Sequence, residues 1–246
     1  MKHVAICLPG SLRSIEICYK NFIENIIVPN NKEYVITLFY YIPEDDNCNK
    51  IFSITELMDL NPEIKIIKDS ELVIPNCVFN GRQVKMDKCS NKGLIGWLYQ
   101  MQGMEECYKM VKQYQEEKLV VFDFIARIRS DILFLQPVIF NDLISNDITI
   151  PSFHKWFGLN DRFAFGKPQY MEIYMKMFSN LYKHSEKINL NIKSAEQFCK
   201  YNLIVEKVNY TENKDILFNR VRMDGTIQID AKIGANIDES TGDIIN

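Results

Sequence analysis

The chain has 246 residues, 29 basic and 32 acidic side chains, a net charge of −3, 47% hydrophobic residues and 12% aromatics. That apolar content excludes an intrinsically disordered chain, and the charge balance lacks the basic footprint of a general nucleic-acid binder. No apolar run approaches the ~20 residues that span a bilayer as a helix.

The apolar stretch His3-Val-Ala-Ile-Cys-Leu8 is too short for an export signal and reads as a first strand, ending at Pro9-Gly10. Ser11-Leu-Arg13-Ser14 then leads into a helix whose apolar positions include Ile15, Cys18, Phe22 and Ile26. Strand, glycine turn and helix open a doubly wound α/β sheet. The helix N-terminus suits a phosphate, and Arg13 adds charge there. Residues 34–42 form a second strand, stopped by Pro43-Glu-Asp-Asp-Asn47. Ser53-Ile-Thr-Glu56 predicts a capping box for a short helix that stops near Asn61-Pro62, and Ile64–Ile67 forms a third strand. Residues 68–92 show no period and read as a long loop offering Arg82, Lys85, Asp87 and Lys88.

From Gly93 to Lys118 the stripe Leu94, Trp97, Met101, Met104, Tyr108 and Val111 predicts the longest helix, with one buried face. Gln100 and Gln102 are polar neighbours of that stripe. The helix delivers the chain to Phe122–Leu135, read as one strand buried on both faces but carrying Arg127, Arg129 and Asp131 at every second position. Period two places the three charges on one side. Charges inside such a run need a partner. Two readings follow: a structural Arg–Asp pair at a strand end, or a strand running into a cleft where Asp131 meets a metal or sugar and the arginines an anion.

Ile148–Pro151 is a further strand. The next segment, Phe153-His-Lys-Trp-Phe-Gly-Leu-Asn160-Asp161-Arg162, gathers aromatics beside a carboxylate. Sugar sites need that combination, because C–H faces stack on rings while hydroxyls bond Asp and Asn; a loop that simply buries Trp156 is the plain alternative. Arg162–Phe165 fits another strand. A helix follows Lys167-Pro168 with Met171, Tyr174, Met175, Phe178 and Tyr182 on its core face, and Ser194-Ala-Glu-Gln197 caps a last helix running to about Leu203. Glu196 sits in its first turn, where the dipole alone favours an acid. Strands at 217–221 and 226–229 and a polar tail close the chain, with Arg220-Val-Arg222 repeating the alternating arginines. The 7 cysteines are scattered and form no C-x-x-C pair, which argues against a zinc site and for reduced thiols in a cytosol-like compartment.

Four segments in order, Leu8-Pro-Gly-Ser-Leu-Arg13, Phe124-Ile-Ala-Arg-Ile-Arg-Ser-Asp131, Asn160-Asp-Arg-Phe-Ala-Phe-Gly166 and Ser194-Ala-Glu196, resemble a family of small soluble glycosyltransferases of bacteria, algae and large DNA viruses. The resemblance spans residues 4–204. It implies a single α/β domain over 1–246, GT-A-like (Rossmann-like), with a mixed, mostly parallel sheet flanked by helices and residues from about 205 as a C-terminal extension. It also implies a cytoplasmic enzyme, in the host cytoplasm if viral, that moves a hexose-type sugar from a UDP- or GDP-linked donor to a glycan or glycoprotein hydroxyl.

On that resemblance Pro9, Gly10, Ser11, Arg13, Arg127, Arg129 and Asp131 bind the donor, and Trp156, Asn160 and Arg162 the acceptor sugar. Asp161 is the first choice for the base and Glu196 the second. Asp131 takes the place of the family's metal-binding Asp-x-Asp, but here the triplet is Arg129-Ser130-Asp131, with one carboxylate. Either Mn²⁺ or Mg²⁺ bridges Asp131 to the diphosphate, or Arg127 and Arg129 neutralise it without a metal. Two further readings stand beside this one. One is a non-catalytic carbohydrate- or nucleotide-binding module on the same fold. The other is a sugar-1-phosphate nucleotidyltransferase, disfavoured because Pro9-Gly-Ser-Leu-Arg13 is not a glycine-rich, lysine-bearing loop.

Overall fold

A computed structural model describes residues 1–58, 62–68, 77–79, 82–84, 92–185, 194–238, 240–241 and 243–245. The apolar runs become strands β1 (Lys2–Pro9), β2 (Tyr34–Pro43) and β3 (Glu63–Ile67). Between the first two lies α1 (Ile15–Phe22), which continues through a π turn at Ile23–Ile27 into the short α2 (Val28–Asn30). Pro29 explains the widened turn. A proline has no N–H for the carbonyl four residues back and its ring crowds it. The Asn25 carbonyl accepts instead from the Val138 N–H, at 2.9 Å.

Helix α3 (Lys50–Met58) precedes β3, and a hairpin of β4 (Cys77–Phe79) and β5 (Arg82–Val84) follows it. Because α3 begins at Lys50, Ser53 falls inside the helix, and the expected Ser53–Glu56 capping box does not form its start. The expected stop at Asn61, and Lys85, Asp87 and Lys88, lie outside the described residues. The long helix α4 (Lys92–Lys118) leads to β6 (Phe124–Ile128).

The single strand expected over 122–135 is two. The chain leaves the sheet at Arg129–Asp131 and resumes as β7 (Ile132–Phe134) in another sheet. β8 (Ile148–Pro151) and β9 (Phe163–Gly166) come next. The one helix expected after Pro168 breaks at Lys176 into α5 (Pro168–Met175) and α6 (Met177–Ser185), and α7 (Ala195–Val205) follows. β10 (Tyr210–Asn213), β11 (Phe218–Val221), β12 (Ile227–Gln228), β13 (Asn236–Ile237) and β14 (Ile244–Ile245) complete the chain.

Seven strands form the central sheet in the order β10-β8-β9-β6-β1-β2-β3. All are parallel except β9, which runs against β6 and β8. The protein is thus α/β, with a mostly parallel sheet flanked by helices. Parallel strands covered on both faces are apolar at every position, and β6 is buried throughout. Alternate residues feed two cores. Ala5, Cys7, Phe39 and Ile125 meet α4 to α7, whereas Val4, Ile6, Leu38 and Ala126 meet α1 and α3. β10 adds an edge strand to the central sheet, and β11 pairs with β7, so residues past 205 are built into both sheets. No helix among the described residues is long and apolar enough to cross a membrane.

From β1 the chain steps outward through β2 to β3, then returns to the other side of β1 as β6. At such a reversal the loops leaving neighbouring strands diverge, and a crevice opens at their carboxyl ends. The turns after Pro9 and Ile128 stand at that crevice.

Candidate functional site

A cavity of about 690 Å³ occupies the crevice. The β1 turn supplies Pro9, Gly10, Ser11 and Arg13; the end of β6 supplies Arg127, Arg129, Ser130 and Asp131. Gly96, Trp97, Gln100 and Gly103 of α4 face them, and Asp161, Arg162, Glu196, Arg220 and Arg222 close the remaining side. Gly10 has a φ of +120°, a conformation that excludes a side chain at low cost, and its N–H donates to the Tyr41 carbonyl at 2.9 Å. That turn brings the β1 loop over the sheet edge. The loop is tied to the β6 exit, because Ser130 Oγ donates to the Ser11 carbonyl at 3.1 Å.

The Arg–Asp pair and the cleft, posed as alternatives by the sequence, both exist. Arg129 forks onto Asp131, Nε to Oδ1 at 2.7 Å and Nη2 to Oδ2 at 2.6 Å, on the cavity wall. Burial pushes the Asp131 carboxyl up, but the Arg129 charge and hydrogen bonds outweigh it and hold it below the usual range. Arg129 also reaches Gln100 Oε1 at 3.4 Å, and Gln100 Nε2 donates to Asp161 Oδ2 at 2.7 Å. Gln100 therefore links the two acidic positions. Its signal was in the sequence: it lies three residues after Trp97 and four before Met104, a polar side chain on the buried stripe.

Arg127 is 0% exposed, and none of its three guanidinium nitrogens has a hydrogen-bond partner among the described residues. Burial alone would raise Asp161; Arg162, Arg127 and Arg129 around it outweigh burial and hold its carboxyl below the ordinary value. Glu196 is the opposite case. Burial and the nearby Asp161 charge both push its carboxyl up, and the net shift is upward. Arg162 feels both charges, and its Nη2 lies 3.5 Å from Glu196 Oε1.

Behind Arg162 lies a network in which His154 and Asp230 join Trp156 and Arg220. His154 Nδ1 accepts from Trp156 Nε1 at 2.7 Å and faces Arg162 Nη1 at 3.1 Å. His154 Nε2 meets Asp230 Oδ1 at 3.2 Å, and Arg220 forks onto the same carboxylate. An imidazole accepting at Nδ1 carries its proton on Nε2, which suits a bond donated to Asp230. Nothing periodic surrounds Asp230, so the sequence alone did not single it out.

Trp156 and Asn160 are not among the residues lining the cavity. Asn160 is wholly buried and serves its own loop: Nδ2 donates to the Phe153 carbonyl at 2.9 Å and Oδ1 accepts from the Arg162 N–H at 2.9 Å. Trp156 is 43% exposed and Phe157 63%. His154, Trp156 and Phe157 all have positive φ, a costly conformation for side chains of this size. Carbonyls of Ser240 and Thr241 hold the segment, accepting from the N–H groups of Lys155, Trp156 and Phe157. Gly158 then lets the chain cross α7 so closely that a Cβ there would lie 2.0 Å from the Glu196 carbonyl.

A Mn²⁺ or Mg²⁺ ion needs several oxygen ligands at once. Among the described residues no three His, Cys, Asp or Glu side chains gather, and each oxygen of Asp131 takes an Arg129 N–H. Those residues do not fit a protein-held divalent ion.

The family described as a domain of unknown function (DUF7796) matches the chain over residues 1–221, and the chain belongs to that family. No curated protein matches it. The family match ends at Val221, before Arg222, Asp230 and the Ser240–Thr241 carbonyls.

Proposed function

We propose that this DUF7796 protein is a glycosyltransferase on a GT-A-like fold, moving a hexose-type sugar from a UDP- or GDP-linked donor to a glycan or glycoprotein hydroxyl. The charge of the cavity supports this most. Six arginines and three carboxylates line a pocket at the carboxyl ends of β1 and β6, and one of those carboxylates, Glu196, has a raised pKa. A surplus of guanidinium suits a diphosphate. A carboxylate shifted upward suits proton transfer near neutrality.

In this reading the diphosphate lies against the Gly10–Ser11 turn, with Arg13 and Arg222 at the rim. Both are exposed and able to turn toward it. Glu196 takes the proton of the acceptor hydroxyl as that oxygen attacks the anomeric carbon. The bond from that carbon to the phosphate oxygen breaks, the electron pair leaves with the diphosphate, and the configuration inverts. The developing negative charge meets preorganised guanidinium groups, which is where such a site gains most of its rate. In this reading Asp161, bonded to Gln100 and held below the ordinary carboxylate value by the arginines around it, is the weaker base of the two, so the proton goes to Glu196 in preference to Asp161. No step requires a metal.

The test is nucleotide-dependent stability followed by turnover. A nucleoside diphosphate at ~100 times its dissociation constant raises stability by about 2.7 kcal/mol. With a sugar-linked donor the protein should also release nucleoside diphosphate slowly, with water as acceptor. If no nucleotide shifts the melting temperature, the donor reading is wrong. Stabilisation without any turnover would instead favour a donor-binding module, a reading that the closure of Arg129 onto Asp131 makes specific.

A further inference from the structure

Most of the cavity's charges are spent on one another. Asp131 is closed by Arg129, Glu196 meets Arg162, Arg220 is matched by Asp230, and Asp161 takes a hydrogen bond from Gln100 while lying among Arg162, Arg127 and Arg129. Arg127 differs from the other buried arginines in having carboxylates nearby but no hydrogen bond to them. It lies below the rim, where its Cα pairs with Cys7 of β1 and Ala164 of β9, two residues inside the point at which Arg129 leaves the sheet. It lines the cavity, yet Nε, Nη1 and Nη2 all lack a hydrogen-bond partner among the described residues. Of the other buried atoms without a partner among the described residues, Arg162 Nε belongs to a residue that also lines the cavity, while the Tyr174 hydroxyl, Gln102 Oε1, Ser152 Oγ and Asn202 Oδ1 belong to residues that do not. Arg127 lies close enough to the Tyr174 side chain and to the Asp161 and Asp131 carboxylates to be coupled to them electrostatically, without a hydrogen bond to any of them.

A buried guanidinium with no partner is costly, and native interiors tolerate such groups mainly where a ligand or ion completes them. The missing group is constrained by what these two lining residues offer, which is donors: the planar fork of Arg127 and a second guanidinium N–H from Arg162. A water molecule or a neutral sugar hydroxyl can accept one of these but brings no charge. A diphosphate brings charge, but it is tethered to a nucleoside, and the exposed Arg13 and Arg222 already serve it at the mouth. A carboxylate is planar, accepts at two oxygens and matches a guanidinium fork edge to edge.

We propose that Arg127 binds a carboxylate on the transferred sugar, so that the donor is a nucleotide-linked acidic sugar of the uronic acid class. This rests on the donor reading given above. The sugar would enter acid-first, its carboxylate on the floor and its anomeric carbon toward Glu196 and the rim.

Calorimetric titration with matched pairs tests it. UDP, UDP-glucose and UDP-glucuronate form one series; GDP, GDP-mannose and GDP-mannuronate form the other. Within a pair only a hydroxymethyl group is replaced by a carboxylate. The acidic member should bind about ten- to a hundredfold more tightly, the range of a charge-assisted hydrogen bond. Arg127→Met should erase that difference while leaving the free nucleotide's affinity unchanged. Because the guanidinium it removes makes no hydrogen bond among the described residues, it should fold and melt close to the parent. Arg127→Lys, which keeps charge but not the fork, should retain part of the preference. Equal binding of neutral and acidic donors overturns the inference and leaves the donor reading standing. So does an Arg127→Met variant that weakens free nucleotide as much as the acidic donor, since Arg127 would then serve the diphosphate. No binding of any nucleotide or nucleotide sugar overturns both.

Discussion

Gly158→Ala tests the coupling between the aromatic loop and Glu196. The new Cβ would stand 2.0 Å from the carbonyl carbon and oxygen of Glu196 and 2.3 Å from the Gln197 nitrogen. All three are backbone atoms in the first turn of α7, so no side chain can swing aside. Restoring an ordinary contact of about 3.4 Å moves the loop or the helix start by about 1 Å or more. Overpacking of this kind costs about 1–3 kcal/mol, and a backbone obstacle belongs at the upper end. For a chain of this size ~3 kcal/mol corresponds to a drop of roughly 6–12 °C in melting temperature. The shift also carries Glu196 away from the acceptor, and a ~1 Å misplacement costs on the order of a hundredfold in rate. Gly96→Ala is the contrasting control for stability. Its Cβ meets nothing within 4 Å, and a helical Gly→Ala change should add about 0.5–1 kcal/mol. Paired melts and donor-hydrolysis rates would read both. A Gly158→Ala protein with the parent's melting temperature and rate would refute the packing of this loop onto α7.

Glu196→Gln should lower turnover by about 10²–10⁴-fold and flatten the rise of rate with pH, which in the parent follows a carboxyl titrating above the usual 4.5. Because that folded-state pKa is raised, its stabilising contribution is complete below about 4.5 and is lost as pH rises through the raised value. The Gln variant should therefore melt higher than the parent at neutral pH, with the gap closing in acid. Asp161→Asn should act in the opposite sense. The carboxylate's folded pKa is depressed, so its contribution holds above the unfolded value near 3.8 and is lost only as pH falls through the folded one. At neutral pH its removal leaves buried arginines less compensated, at about 3–5 kcal/mol by thermal melt. Chelation with EDTA should leave both donor affinity and turnover unchanged; a requirement for added Mn²⁺ would refute the metal-free step and favour an ion held between Asp131 and the donor diphosphate. Truncation after Ala235 removes the Ser240 and Thr241 carbonyls, so hydrogen exchange at Lys155, Trp156 and Phe157 should quicken while nucleotide affinity stays at the parent's value.

The α/β sheet was legible because parallel strands covered on both faces are continuous apolar runs, and β1, β2 and β6 are of that kind. What eluded the sequence has physical causes. Period two continues numerically through Arg129–Asp131 although the chain has left the sheet, since a turn flanked by Ile128 and Ile132 keeps the hydrophobic pattern going. The edge strand β10, Tyr-Thr-Glu-Asn, is only partly buried, so no alternation betrays it. Ser53 and Glu56 have capping-box spacing, but α3 starts three residues earlier at Lys50, and spacing does not report where a helix begins. Arg13, Arg127, Arg129, Asp131, Asp161, Arg162 and Glu196 do converge on one cavity. Asp230 and His154 join them only through tertiary contact.

The Arg129–Asp131 pair decides how the cavity's charge should be understood. A pair bonded through both oxygens neutralises itself, so it contributes little net field at the mouth. Arg162 is shared between Asp161 and Glu196, and Arg220 is matched by Asp230. The guanidinium groups with no carboxylate hydrogen-bonded to them among the described residues are then Arg13 and Arg222 at the rim and Arg127, which lies near Asp161 and Asp131, at the floor: two levels of one cavity. Arg13 makes no ion pair among the described residues, and the Arg222 guanidinium donates to the neutral Gln228. One compact anion would satisfy one level and leave the other uncompensated. A ligand with a diphosphate at one end of its sugar and a carboxylate at the other satisfies both, with the reacting carbon between them on the side where Glu196 stands.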